Sequence, residues 1–223
     1  RMKTIMFSGK ARVGKTHAAN LIAELAFADG LRPVFLPFAK PIKDKAKKAG
    51  FTKEDTPNEY RFFCQEMGEA KRREDPDHWI NLWQTHFDEY LLKETKLLKD
   101  DASHWEHLII VDDCRYLNEI ALCKEMNAHL CFVSHGSRVV EDHYGDWREH
   151  ESEQWANEVE RNGQDYDVDH WIENHNGIKT FNRMISEVFE QVNKVEPISI
   201  KSMKQMMKNL LDMLDEETKD SDN

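Results

Sequence analysis

Gly9, Gly14, Lys15 and Thr16, within "GKARVGKTHAAN", satisfy the spacing G-x-x-x-x-G-K-[ST]. Glycines at these places let successive backbone N–H groups turn toward an anion, the following helix adds the positive end of its dipole, and the lysine can reach outer phosphates. On this reading Gly9, Arg12, Val13, Gly14, Lys15, Thr16 and His17 form a phosphate-binding loop (P-loop) for ATP, and the Thr16 hydroxyl is a ligand for Mg²⁺. Two readings stand for Arg12: a phosphate contact or a solvated side chain.

A second group lies at the end of "HLIIVDDCR", where Asp112, Asp113 and Arg115 follow a run of apolar residues. Carboxylates there can hold Mg²⁺ through water or orient a bound group, and an arginine can neutralise phosphate oxygens. Asp112 is the candidate metal ligand, with a helix cap as its alternative. "GEAKRREDPDHW" sets Lys71, Arg72 and Arg73 beside Asp75 and Asp77, either as a solvated charge run or as a phosphate-binding arginine with acidic neighbours to orient it. A P-loop alone is shared by switch GTPases, motor ATPases and small-molecule kinases. The chain has no guanine-reading NKxD, and its downstream arginines suit phosphoryl transfer between two anions.

The elements that must position these groups alternate. "KTIMFS" (3–8), "PVFLPF" (33–38), "HLIIVDD" (107–113), "HLCFVS" (129–134) and "VDHWIE" (168–173) read as strands. Helical spacing is read over 15–28, 41–50, from 53–63 onward, 77–98, 118–128 and 178–192. Strands that are apolar throughout rather than alternating predict a parallel sheet covered by helices on both faces, a three-layer α/β fold. In such sheets ligands bind beyond the carboxyl ends of the strands, where the glycine loop and both aspartates fall. Residues 135–168 are polar with little periodicity and read as a lid insertion. The domain is expected over 1–195, an amphipathic helix over 196–217 and a disordered tail over 218–223.

With 223 residues, 33% of them charged, and a net charge of −11, the chain is long enough for one sizeable core. The charge argues against a broad nucleic-acid face but leaves room for a local anion site. No run approaches the roughly 18 apolar residues of a membrane span, and no signal pattern opens the chain, so a cytoplasmic protein is expected, in the host cytoplasm if viral. Cys64, Cys114, Cys123 and Cys131 contain no CxxC pair and read as reduced thiols.

These motifs, in order, resemble the P-loop nucleoside monophosphate kinase superfamily, and most closely its bacteriophage deoxynucleoside monophosphate kinases. Phosphomevalonate kinases of the animal type are also similar. The resemblance covers about residues 3–192 and rests on "FSGKARVGKT", "FAKPIKD" (like A-x-P-[IL]-K), "CQEMGEAKRREDPDHW", "IVDDCRYLNE" (like D-x-R-x-x-x-E), "HESE" and "HWIENHNG". It implies a P-loop kinase fold, with Lys15 acting on the transferring phosphoryl group and Arg72, Asp113 and Arg115 at the acceptor and transfer site. Pro41, Lys43 and Gln65 would line the acceptor pocket, and His150 is either a lid contact or an ordinary surface histidine. The family's V-x-R-P arginine falls where this chain reads "VSHGSR", which leaves Arg138 or Arg148 to serve as the lid arginine, with Arg161 a third choice.

The expectation is therefore an ATP- and Mg²⁺-dependent enzyme that phosphorylates a small phosphate-bearing acceptor, a deoxynucleoside monophosphate, without nucleic-acid or membrane partners. A phosphomevalonate-kinase-like enzyme is the alternative within the class. A nucleotide-binding regulatory protein without transfer activity is the alternative outside it. Phe38, Phe62, Phe63 and Trp79 are either a base-stacking set or core. The 199–217 stripe either packs on its own domain, forms a homodimer contact or docks a partner.

Overall fold

A computed structural model of the chain describes residues 2–97, 106–135, 151–162 and 168–199, together with 202 and 205. Five strands, β1 (Met2–Ser8), β2 (Arg32–Phe35), β3 (His107–Val111), β4 (His129–Ser134) and β5 (His170–Glu173), form one sheet in the order β2-β3-β1-β4-β5, with every pairing parallel. Between and after them run α1 (Lys15–Ala28), α2 (Lys40–Lys48), α3 (Pro57–Glu74), α4 (His78–Leu97), α5 (Leu117–Glu125), α6 (Glu151–Asn162) and α7 (Ile178–Lys194).

Alternate strand residues feed two separate cores, which explains why the strands carry apolar residues on both faces. Met2, Met6, Ile109, Val111, Leu130 and Phe132 face a core completed by α4, α5 and α6. Ile5, Phe7, Leu108, Ile110, Cys131 and Val133 face the other, completed by α1 and α7 through Ala18, Ile22, Phe181, Ile185 and Val188. The three-layer α/β architecture expected from the sequence is the one formed. Trp83 anchors the first core: it stacks on Phe87 with ring centroids 5.2 Å apart and donates to the Leu36 carbonyl at 2.6 Å. Such a stack adds about 1 kcal/mol to the area it buries.

The boundaries differ from the sequence reading in informative ways. β2 stops at Phe35 instead of running to 38, because the Phe38 and Ala39 N–H groups are captured by a side chain from the neighbouring strand end. α6 falls within the stretch that lacks clean periodicity, yet Trp155, Ala156 and Val159 are buried and Trp155 meets Phe132 edge-on. The remainder of the expected lid, most of the 196–217 helix and the 218–223 tail lie outside the described residues. All four cysteines are free thiols, and burial pushes the Cys123 thiol up to about 12.

At the amino-terminal end of the strands, opposite the end that carries the glycine loop, His129 on β4 and His170 on β5 stack, with Nδ1 and Nε2 3.1 Å apart. Burial lowers both from the usual 6.5, and His129 lowers His170 further. A base depressed in the folded state contributes stability that is full above its unfolded value and lost as pH falls through the folded one. Melting temperature is therefore expected to drop on acidification below about pH 6.5, and less steeply in the double variant His129→Gln/His170→Gln. Parallel melting-against-pH curves for the two proteins would argue against this origin. Some decline remains in either case, because burial also lowers His107.

Candidate functional site

After β1 the chain turns at Gly9, whose φ of +129° is open to glycine and whose missing Cβ would lie 2.2 Å from the Val133 carbonyl oxygen. The loop ends at Gly14, φ +108°, where a Cβ would come within 2.8 Å of Asn174 Nδ2 and 3.1 Å of the Phe181 ring. Backbone and side chains thus crowd the loop from behind. Asn174, just past β5, fastens it by donating to the Val13 carbonyl at 2.9 Å, while its own N–H bonds Ser134 at 2.8 Å. Lys15, only 7% exposed, opens α1 and folds back so that its ammonium donates to the carbonyls of Gly9 (2.6 Å) and Lys10 (2.5 Å). A cation is thus held at the mouth of a ring of backbone, as a phosphate site requires.

The other predicted loop residues divide. Arg12 is exposed, in a left-handed conformation at φ +64°, and Val13 is buried in the core. His17 turns to α7, where it stacks on Phe181 and shares a 2.7 Å hydrogen bond with Asn182. The neighbouring Lys10 is ion-paired with Glu160 of α6.

The two aspartates after β3 go to opposite sides, as consecutive side chains at a strand end do. Asp112 Oδ2 accepts from the Thr16 hydroxyl at 3.2 Å. These hard oxygens, from the first turn of α1 and the end of β3, fit a Mg²⁺ ion that keeps its remaining positions for water and phosphate. Asp113, 8% exposed, accepts from the N–H groups of Phe38 (2.8 Å) and Ala39 (3.2 Å) and from the Lys43 ammonium at 2.9 Å. It therefore seats the start of α2, where Pro41 occupies the first turn. Burial pulls the Lys43 ammonium toward its neutral form, but the charge and hydrogen bond of Asp113, helped by Asp112, raise it overall, so it stays a cation.

On α3, Gln65, Gly68 and Arg72 share one face by their spacing. The Arg72 guanidinium lies 3.4 Å over the Tyr116 ring and 3.5 Å from Glu119 Oε1. Arg115 is half-buried, and its backbone N–H donates to Glu119 Oε2 at 2.7 Å. Phe63 and Met67 are on the opposite side of α3 and Phe62 on its flank, three residues before Gln65; with Phe51 they line a cavity of about 690 Å³. Phe38 and Trp79 are buried in the core. Arg138, Arg148 and His150 lie outside the described residues, and Arg161 is exposed on α6.

Asn174 and Glu119 stand in the sequence only as members of longer motifs. The structure adds what they hold: the loop carbonyl of Val13 and the guanidinium of Arg72. Among the described residues no helix is long and apolar enough to cross a membrane, and no group of three or more His, Cys, Asp or Glu gathers to hold a metal.

The fold and this loop define a P-loop α/β protein. No protein-family model matches the chain, and no curated protein matches it. Among solved structures it is similar to dephospho-CoA kinase from Campylobacter jejuni, at 12% identity over 87% of this chain and 98% of that one, with a TM-score of 0.43. A likeness that distant leaves function to the chain's own residues.

Proposed function

We propose that the protein is an ATP-dependent kinase acting on a small phosphate monoester, a deoxynucleoside monophosphate, and releasing the diphosphate and ADP. The observation that carries the reading is the division of the aspartate pair: one strand end touches Thr16 of the phosphate loop through Asp112 and Lys43 of α2 through Asp113. Donor and acceptor sides are thereby tied to one rigid element, which is what in-line transfer between two anions needs.

An oxygen of the acceptor phosphate attacks the γ-phosphorus of ATP, the bond to the bridging oxygen breaks, and ADP leaves with the electron pair. That oxygen is already anionic near neutrality, so no strong general base is required. Lys15 and the loop N–H groups bind the donor phosphates; Arg72, Arg115 and Lys43, beside Gln65 and Pro41, neutralise and orient the acceptor. Thr16 and Asp112 would hold Mg²⁺, which supplies charge neutralisation on the donor phosphates when bound. Arg138, Arg148 and His150 are proposed to complete the site from the lid.

The order of motifs supports a nucleotide acceptor. A specific observation favours the second reading, a phosphomevalonate-kinase-like enzyme: Phe38 and Trp79 are packed away and Phe63 turns from the Arg72 face, so these three rings do not form a base-stacking set beside Arg72. A coupled ADP-release assay over deoxynucleoside monophosphates, nucleoside monophosphates and mevalonate 5-phosphate separates them. Stimulation by a deoxynucleotide is expected. Stimulation by mevalonate 5-phosphate alone selects the second reading, and stimulation by none selects a nucleotide-binding protein without transfer activity.

A further inference from the structure

Glu119 is 2% exposed, at a depth where a carboxylate is retained only with partners. Its Oε2 accepts from the N–H groups of Arg115 at 2.7 Å and Tyr116 at 3.2 Å, closing the first turn of α5 as a capping box does. Its Oε1 faces Arg72 Nη2 at 3.5 Å. The same guanidinium is covered by the Tyr116 ring at 3.4 Å and runs along its own helix, where a Cβ on Gly68 would come within 3.2 Å of Nη1. Asn118 fastens the arrangement from the side, donating to Pro76 O at 3.0 Å and Asp77 Oδ1 at 2.9 Å in the turn between α3 and α4. Arg72 is thus confined by a carboxylate, a ring and its own helix, with 16% of its side chain exposed.

We infer that Glu119 is a positioning residue for the acceptor phosphate, holding Arg72 of α3 and the Arg115 backbone after β3 in one frame, so that the two arginines meet the acceptor as a preset pair. The inference rests on the kinase reading above. It goes beyond that reading by giving the task to a residue that would touch neither substrate. Preset donors lose little freedom when the anion arrives, which is where such an arrangement contributes to rate.

The electrostatics agree. Burial raises Glu119 to about 7, opposed by the Arg72 charge and the N–H groups of Arg115 and Tyr116, with Asp113 raising it further. The facing Cys114 thiol, itself buried, is pushed well up and stays neutral. Above about 7 the carboxylate pairs with Arg72; below it the protonated group holds Arg72 less firmly, so acceptor KM is expected to rise on the acid side.

The test is steady-state kinetics with separate ATP and acceptor titrations on wild type, Glu119→Gln, Glu119→Asp and Tyr116→Leu. Glutamine can still accept the two backbone N–H groups, but its amide nitrogen faces a guanidinium that has only donors. The expected result for Glu119→Gln is an acceptor KM raised about tenfold with a smaller loss of kcat and an unchanged ATP KM. Aspartate should restore part of the effect. Tyr116→Leu, which keeps the carboxylate and removes the ring, should raise acceptor KM less. Between about pH 8 and pH 6 wild-type acceptor KM should climb more steeply than that of Glu119→Gln, because the acceptor's own phosphate, titrating near 6, is common to both. A Glu119→Gln enzyme with wild-type acceptor KM and pH slope overturns the inference alone. A wild type that forms no ADP with any acceptor overturns the kinase reading and this inference with it.

Discussion

Lys15→Ala is expected to lower kcat/KM for ADP formation about 10³-fold, a loss of about 4 kcal/mol of transition-state stabilisation. The Lys15 ammonium is held between the Gly9 and Lys10 carbonyls at 2.6 and 2.5 Å, one end of a stem that is almost wholly buried, so it has little room to wander. A cation fixed in that way can meet negative charge as it develops on the transferring group without first being ordered, which is the largest advantage an electrostatic contact can have. The variant also strips two backbone carbonyls of a charged donor. That should cost about 1–2 kcal/mol of stability, or a fall in melting temperature of about 3–6 °C for a chain of this size. The two consequences differ enough to be separated: thermal unfolding reports the second and steady-state kinetics the first. Lys15→Met, which keeps the aliphatic stem, should show the same kinetic loss with less destabilisation. A Lys15→Ala enzyme within tenfold of wild type would remove this lysine from the transfer step.

Where local rules dominate, the sequence was readable. Gly9, Gly14 and Lys15 are required by the loop's own backbone, and strands such as "HLIIV" are apolar at successive positions because each face has its own core. Readings that depend on contacts between distant segments were not available from spacing. The adjacent Asp112 and Asp113 look equivalent in one dimension, yet one bonds Thr16 and the other the start of α2. Nothing local in "CRYLNEI" announces that Glu119 meets an arginine 47 positions earlier. α6 does not stand out in the sequence because Trp155, Ala156 and Val159, its buried residues among those whose side chains are described, fall short of the repeat that a helix reading needs. The aromatic residues near Pro41, Gln65 and Arg72 were open to two readings for the same reason: proximity in sequence says nothing of facing. The helical register turns Phe63 away from Arg72 and leaves Phe62 on the flank of α3, and the turn after β2 buries Phe38.

Asp113→Ala should destabilise the fold by about 3 kcal/mol, because it leaves two N–H groups and an ammonium without their acceptor. For a chain of this size that is a fall in melting temperature of about 6–12 °C. The Phe38 N–H is buried, so water cannot readily replace the lost bond, whereas the Lys43 ammonium is about one-third exposed and recovers some hydration. Most of the loss therefore comes from the backbone of the β2–α2 turn. Asp113→Asn should fall between the two, since its amide oxygen can still accept one N–H but its charge no longer holds Lys43. The kinetic consequence follows from the same contacts: with its seat gone, α2 shifts and carries Lys43 and Pro41 with it, so acceptor KM should rise about tenfold or more while ATP KM, set by the loop and Thr16, changes little. Loss of stability without a change in acceptor KM would mean that α2 does not face the acceptor. A melting temperature within about 1 °C of wild type would mean that Asp113 does not hold the turn at all. The expected pairing of both effects in one variant is what a carboxylate serving as the hinge-pin between the sheet and α2 requires if α2 faces the acceptor as proposed.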